Sequence, residues 1–173
     1  MLQPHPVPNY FAFVLIGLIF CLCGDVCLAL PQKRAFIVGL ISFLLGHLLY
    51  IAAFSFTASF RIPALPAVLA TLGVSTGVYL WLRPHLGRMH GPVAAYVVVI
   101  TAMVCMVWGL QGSQSLNITG RRTALFGAII FYLSDLFVAR DRFLTASFVN
   151  RLAGLPTYYT GQFLLAFSVG LLK

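Results

Sequence analysis

Residues 9–30 read NYFAFVLIGLIFCLCGDVCLAL, and Asp25 is the one charged side chain among them. At 1.5 Å of rise per residue, about 20 apolar residues cross the ~30 Å hydrocarbon core of a bilayer. Such a stretch must be helical there, because lipid offers its backbone no hydrogen-bond partner. Tyr10 stands at one interface, and Pro31-Gln32-Lys33-Arg34 ends the span at the other. A carboxylate inside a span is costly unless it is paired, protonated or wetted by a cavity. Asp25 therefore marks this segment as more than an anchor.

Working outward, similar runs recur at about 35–56, 64–82, 92–110, 121–139 and 152–172. Residues 1–8 form a polar, proline-rich lead, Arg61 and Pro63 mark the second turn, and 83–91 read as a polar loop. The expectation is an all-α fold: one polytopic transmembrane helix bundle of about six spans, occupying 1–173 as a single domain. The connections are too short for a second domain, and no fixed-period repeat is visible. Gly73-x-x-x-Gly77 in the third span reads as a small-residue helix contact.

Composition agrees. Charged residues make up 8% of the chain, against about 25% in soluble domains. The net charge of +8 does not point to nucleic acid, because the basic residues stand singly or in pairs between apolar runs, as in loops facing anionic headgroups. The first run is too long for the apolar part of a cleavable signal and has no basic lead before it. Cys21, Cys23, Cys27 and Cys105 all fall in apolar runs and imply no disulfide framework. Loops one, three and five carry seven Lys and Arg (Lys33, Arg34, Arg83, Arg88, Arg140, Arg142, Arg151) against four on the other side (Arg61, Arg121, Arg122, Lys173). That bias places loops one, three and five in the cytoplasm and both termini outside. A multi-pass protein of the cell (inner) membrane is expected.

The chain has three acidic residues, and two of them, Asp25 and Asp135, lie inside spans. Counted from Leu30 and Ala139, they sit about 8 and 6 Å in from the same side. Two carboxyls at matching depth suggest one site. The second span adds Ser42, Gly46 and Tyr50 at i, i+4, i+8, with His47 beside them. The sixth adds Tyr158 and Gln162 on one face. Spans three and four offer no polar group to this set and read as scaffold and lipid-facing wall. A cavity lined by spans one, two, five and six and entered from loops one, three and five is expected. Arg140 and Arg142 would stand at its mouth and could bind a lipid phosphate.

Four stretches together resemble the YhhN-like lysoplasmalogenase family of membrane proteins. They are Gly24-Asp25-Val26-Cys27-Leu28, the run from Phe36 that ends in Gly46-His47-Leu48-Leu49-Tyr50, Ser134-Asp135-Leu136-Phe137-Val138-Ala139 with Phe143, and Pro156-Thr157-Tyr158-Tyr159 with Gln162. The resemblance implies an all-helical intramembrane hydrolase that cleaves the vinyl-ether bond of lysoplasmalogens to a fatty aldehyde and a glycerophospho-base. It implies that Asp25 and Asp135 are the catalytic pair. Members of that family usually carry one or two further helices before the Gly-Asp segment, which is the first span here. A neighbouring protomer, and so a homo-oligomer, is one way to complete the bundle.

The chemistry suits two carboxyls. Protonation of the vinyl-ether β-carbon needs an acid, addition of water needs a base, and a close pair supplies both. His47 is a candidate for positioning water or relaying a proton. Tyr50, Tyr158, Gln162 and Arg140 are candidates for binding a lysophospholipid substrate. No cofactor is expected. A metal held by Asp25, Asp135 and His47 would be a rival, but no paired-ligand spacing such as H-x-x-x-H is present. A proton-coupled transporter would share intramembrane acids and a histidine but would usually show repeats or broken helices. A non-catalytic lipid-binding bundle is the third rival.

Overall fold

The computed structural model describes residues 6–58 and 64–173. It holds six long helices: α1 (Pro8–Ala29), α2 (Lys33–Ser55), α3 (Leu65–Leu82), α4 (His90–Leu110), α5 (Ile118–Phe143) and α6 (Phe148–Leu171). There is no strand among the described residues. The expected turn at Arg61 and Pro63 lies outside the described residues, as do residues 1–5 of the lead. Five of the helices, α1 to α5, are long and apolar enough to cross a membrane. α6 is 24 residues long but more polar, and it runs antiparallel against α5 over most of its length.

The bundle is a ring with one helix outside it. α1 packs on α2, α2 on α4, α4 on α5, α5 on α6, and α6 back on α1. α1 and α6 thus meet directly. At that seam Ser168 donates to the Leu165 carbonyl at 2.6 Å, so Tyr10 gives its hydroxyl proton to Ser168, also at 2.6 Å. α3 lies outside the ring, mainly against α4.

The distribution of polarity is that of a membrane protein. Ser42, His47, Ser75, Thr101, Ser134, Gln162 and Ser168 are buried, while Leu22, Val98, Phe126, Phe163 and many other large apolar side chains face outward. Such a surface would aggregate in water, and it is what a lipid-facing exterior requires. The chain is an integral, multi-pass membrane protein.

Glycine decides which helices approach most closely. Between α1 and α2, Gly17 meets Gly46 and Gly24 meets Gly39. Between α5 and α6, Gly127 meets Gly161, Gly120 lies against Leu171 and Gly154 against Phe137. On each of these helices the two glycines are seven residues apart, which keeps both on the face turned to the partner. A Cβ on Gly161 would fall 2.8 Å from the Phe131 nitrogen and 3.0 Å from the Gly127 oxygen. Gly73 and Gly77, by contrast, have nothing among the described residues within 4 Å of where a Cβ would stand. The expected small-residue contact in the third span is not made. α3 touches its neighbours along another face, through Ser75, Val78 and Leu82.

Several helix boundaries move relative to the hydropathy reading. α4 starts at His90, with Pro92 tolerated in its first turn. α5 starts at Ile118 because the Asn117 side chain caps the Thr119 nitrogen at 2.8 Å, and it runs on to Phe143. α6 starts at Phe148, where the Ser147 hydroxyl accepts from the Asn150 nitrogen at 3.3 Å. The third loop is not an open polar loop either. Leu86 is buried between two short 3-10 turns and packs with Leu82 and Val93, and Gly87 supplies the positive φ of 51° at the turn.

Candidate active site

Asp25 lies four residues before the end of α1 and Asp135 eight before the end of α5. The longer α5 therefore sets Asp135 roughly 12 Å in and Asp25 roughly 6 Å in from their helix ends. Both are on the side of loops one, three and five, about one turn apart rather than level. Both are partly buried, and each is held by a tyrosine from a different helix. Tyr158 of α6 donates to Asp25 Oδ2 at 2.9 Å, and Tyr96 of α4 donates to Asp135 Oδ2 at 2.7 Å.

The Asp25 bond ends a directed chain. Tyr158 gives its only proton to Asp25, so it accepts from Gln162 Nε2 at 3.1 Å. Gln162 Oε1 then accepts from Tyr50 at 2.8 Å, and the Cys21 thiol stands 3.7 Å from the Tyr50 oxygen. The series leaves α1 at Cys21, crosses α2 and α6, and returns to α1 one turn later at Asp25. Every hydroxyl in it has its donor and acceptor accounted for. Tyr50 and Gln162, expected to touch substrate, are buried and engaged in this chain.

His47 is fully buried. Its Nδ1 donates to the Phe43 carbonyl one turn back at 2.6 Å, and its Nε2 has no hydrogen-bond partner among the described residues. A buried polar atom left unpaired costs about 1–3 kcal/mol, so this nitrogen is a natural place for a water or a substrate hydroxyl. Aromatic rings surround it: Phe131 at 4.7 Å, Tyr96 at 5.4 Å and Tyr50 at 6.2 Å, all edge to face. Phe131 also meets Phe43 and Tyr158, at 6.5 and 5.3 Å. The two tyrosine–carboxyl pairs therefore flank one aromatic cluster, with the free nitrogen of His47 inside it.

α4 corrects the reading of spans three and four as wall. Ile100, Met103, Val104, Val107 and Leu110 bury α4 between α2 and α5, and Tyr96 enters the site from it. Only α3 stays at the edge. Tyr96 is inconspicuous in the sequence because the apolar run 92–110 carries no acid, base or histidine. The signal available was a lone tyrosine in the run Val93-Ala94-Ala95-Tyr96-Val97-Val98, too deep to serve as an interface anchor.

The basic rim divides its work. Arg140 is exposed. The Arg142 guanidinium lies 4.1 Å over the Phe36 ring, tying α5 to α2. The third acid, Asp141, serves the α5–α6 turn: it accepts from the Ser147 nitrogen at 2.9 Å and lies 3.6 Å from Arg151. Among the described residues no three His, Cys, Asp or Glu side chains come together as a metal-ligand set.

The profile of the YhhN family matches residues 1–169. The chain belongs to the YhhN family. It is 35% identical over 161 residues to mouse lysoplasmalogenase TMEM86B, covering 90% of this chain and 63% of that protein. To human lysoplasmalogenase TMEM86B it is 33% identical over 165 residues, 94% of this chain and 66% of the relative. A lysoplasmalogenase of Mycobacterium tuberculosis is 31% identical over 162 residues, 90% of this chain and 58% of the relative. The chain thus spans about three-fifths of the length of these relatives. No solved structure matches it.

Proposed function

We propose that this YhhN-family chain is an intramembrane lysophospholipid hydrolase of the lysoplasmalogenase type, acting in the cell (inner) membrane. It would cleave the vinyl-ether bond of a lysoplasmalogen to a fatty aldehyde and a glycerophospho-base. The observation that carries the reading is the pair of intramembrane carboxyls, each with its own tyrosine donor, on either side of a buried histidine with a free nitrogen. The relatives' printed name supplies the reaction class.

In this reading one carboxyl, as the acid, gives its proton to the β-carbon of the vinyl ether. The oxocarbenium ion that results is stabilised by the other, ionised carboxyl. That carboxylate takes a proton from water as the water adds to the cation, and the water is oriented by His47 Nε2. The hemiacetal collapses to aldehyde and alcohol, and the proton returns to the first carboxyl. Tyr158 and Tyr96 fix the two carboxyls, and their bonds leave one oxygen of each free for the reaction. Arg140, exposed at the rim, receives the phosphate of the headgroup.

The test is purified protein in detergent micelles given a lysoplasmalogen, with and without EDTA, followed by release of aldehyde. Turnover unchanged by EDTA is expected. Absence of aldehyde overturns the reading, and loss of turnover on chelation moves the assignment to a metal hydrolase.

A further inference from the structure

α3 meets the bundle unevenly. At its C-terminal end Leu82, Val78 and Tyr79 join Leu86 and Val93 in an apolar cluster that takes in Ala139 and Phe143 of α5. Two turns back, the Ser75 hydroxyl hydrogen-bonds the Tyr132 hydroxyl at 3.0 Å and ties α3 to α5. Towards its N-terminus α3 turns small side chains to the bundle, and a gap opens. The cavity there has a volume of about 260 Å³, lined by Ala67, Thr71 and Val74 of α3, Trp108 of α4, and Ile129 and Tyr132 of α5. The hydroxyl of Thr71 is turned back onto the Ala67 carbonyl at 2.8 Å, so the lining offers water almost nothing. Apolar cavities stay dry and accept apolar ligands.

Its position relates it to the site. Tyr132 is one turn before Asp135 on the same face of α5. Tyr96, which holds Asp135, lies 12 residues from Trp108 on α4, roughly 18 Å along the helix. The groove therefore begins at Tyr132, one helical turn from the Asp135 carboxyl, and runs away from Arg140 and Arg142 towards Ala67 and Trp108. Taken in order, charge at the rim, a carboxyl one to two turns in and an apolar groove beyond match a lipid with one headgroup, one linkage and one chain.

We propose that the α3–α4–α5 groove holds the single hydrocarbon chain of the lysolipid substrate and so sets which linkage stands at Asp135. This rests on the hydrolase reading above. Thr71 and Ala67 become specificity-determining positions, at the middle and the far end of the groove, and Trp108 its floor. A two-chain membrane lipid would leave its second chain outside and gain nothing from the carboxyl.

The experiment has two arms on the purified full-length chain in nanodiscs. In the first, KM and kcat are measured for lysoplasmalogens of graded chain length. Thr71→Phe and Ala67→Phe should raise KM for long chains by about tenfold, the equivalent of two methylenes left unburied, and raise it far less for short chains. Thr71→Phe should act at shorter chain lengths than Ala67→Phe, and Trp108→Ala should extend the preference to longer chains. An unaltered chain-length profile in folded variants overturns the proposal. The second arm does not depend on turnover. A lysophospholipid with a diazirine at its chain end should label α3, α4 and α5 at the groove, and a two-chain phospholipid with the same group should not. Equal labelling by both means ordinary membrane lipid and overturns the proposal. Selective labelling without any aldehyde release would uphold the groove and fail the hydrolase reading alone.

Discussion

Asp25 and Asp135 differ in what surrounds them more than in kind. Asp25 is the end of a donor chain through Tyr158, Gln162 and Tyr50, whereas Asp135 has Tyr96. If the two act as one acid–base unit, Asp25→Asn and Asp135→Asn should each lower turnover of a lysoplasmalogen by 10²–10⁴-fold, or roughly 3–5 kcal/mol of barrier. The double variant should be little worse than either single one, because groups that act as a unit are not additive. The activity of the wild type against pH should be bell-shaped, its limbs belonging to the pair. Full turnover in either folded Asn variant would end the paired-carboxyl mechanism. Tyr96→Phe is a finer probe. It keeps the ring against His47 and removes the hydroxyl that donates to Asp135. A hydrogen bond to a charged group is worth about 1.5–3 kcal/mol, so kcat should fall by roughly 10- to 100-fold with KM little changed. One limb of the pH profile should move with it. An unmoved profile would reduce Tyr96 to a packing residue. Residues of this kind mark the limit of what sequence discloses. Asp25, Asp135 and His47 stand out because ionisable groups are rare in membrane spans. Tyr96 does not, because tyrosine is ordinary there and its partner is 39 residues away.

Helix existence was legible from hydropathy and helix ends were not. Asn117 and Ser147 are strong N-cap residues, yet they lie in polar stretches where hydropathy alone places loop, so α5 and α6 were expected to begin three and four residues late. The face a helix presents was harder still. Gly73-x-x-x-Gly77 has the familiar four-residue spacing and meets nothing, while the close contacts use glycines seven apart on two helices at once. That pattern becomes visible only when both helices of a hairpin are compared. It makes a direct prediction. Gly161→Ala should lower the thermal stability of the protein in detergent, because its methyl meets the α5 backbone and a crowded core loses about 1–3 kcal/mol. Gly73→Ala should be neutral or stabilising, since helix propensity favours alanine by up to about 1 kcal/mol. Melting curves from intrinsic fluorescence decide between them. If Gly73→Ala destabilises as much as Gly161→Ala, α3 makes a helix contact that the monomeric bundle does not contain.

At the scale of the molecule, two glycine-packed hairpins, α1–α2 and α5–α6, each bring one carboxyl, and α4 stands between α2 and α5 to complete the ring. The carboxyls lie towards loops one, three and five, where Arg34, Arg83, Arg88, Arg140, Arg142 and Arg151 also gather. The side from which a headgroup would approach is thus the basic side. The positive-inside bias assigns that side to the cytoplasm, and the assignment can be tested without any reference to activity. In a variant with Cys21, Cys23, Cys27 and Cys105 replaced, single cysteines are placed at Arg88 in the third loop and at Ser115 in the fourth. Both positions are exposed, so reactivity reports sidedness rather than burial. In intact cells an impermeant maleimide should label Ser115→Cys and leave Arg88→Cys untouched, and permeabilised cells should label both. The reverse pattern would place the arginines and the mouth of the site on the outer surface. A headgroup would then have to arrive from outside the cell, which changes the pool of lipid the site can draw on while leaving its internal geometry as it is.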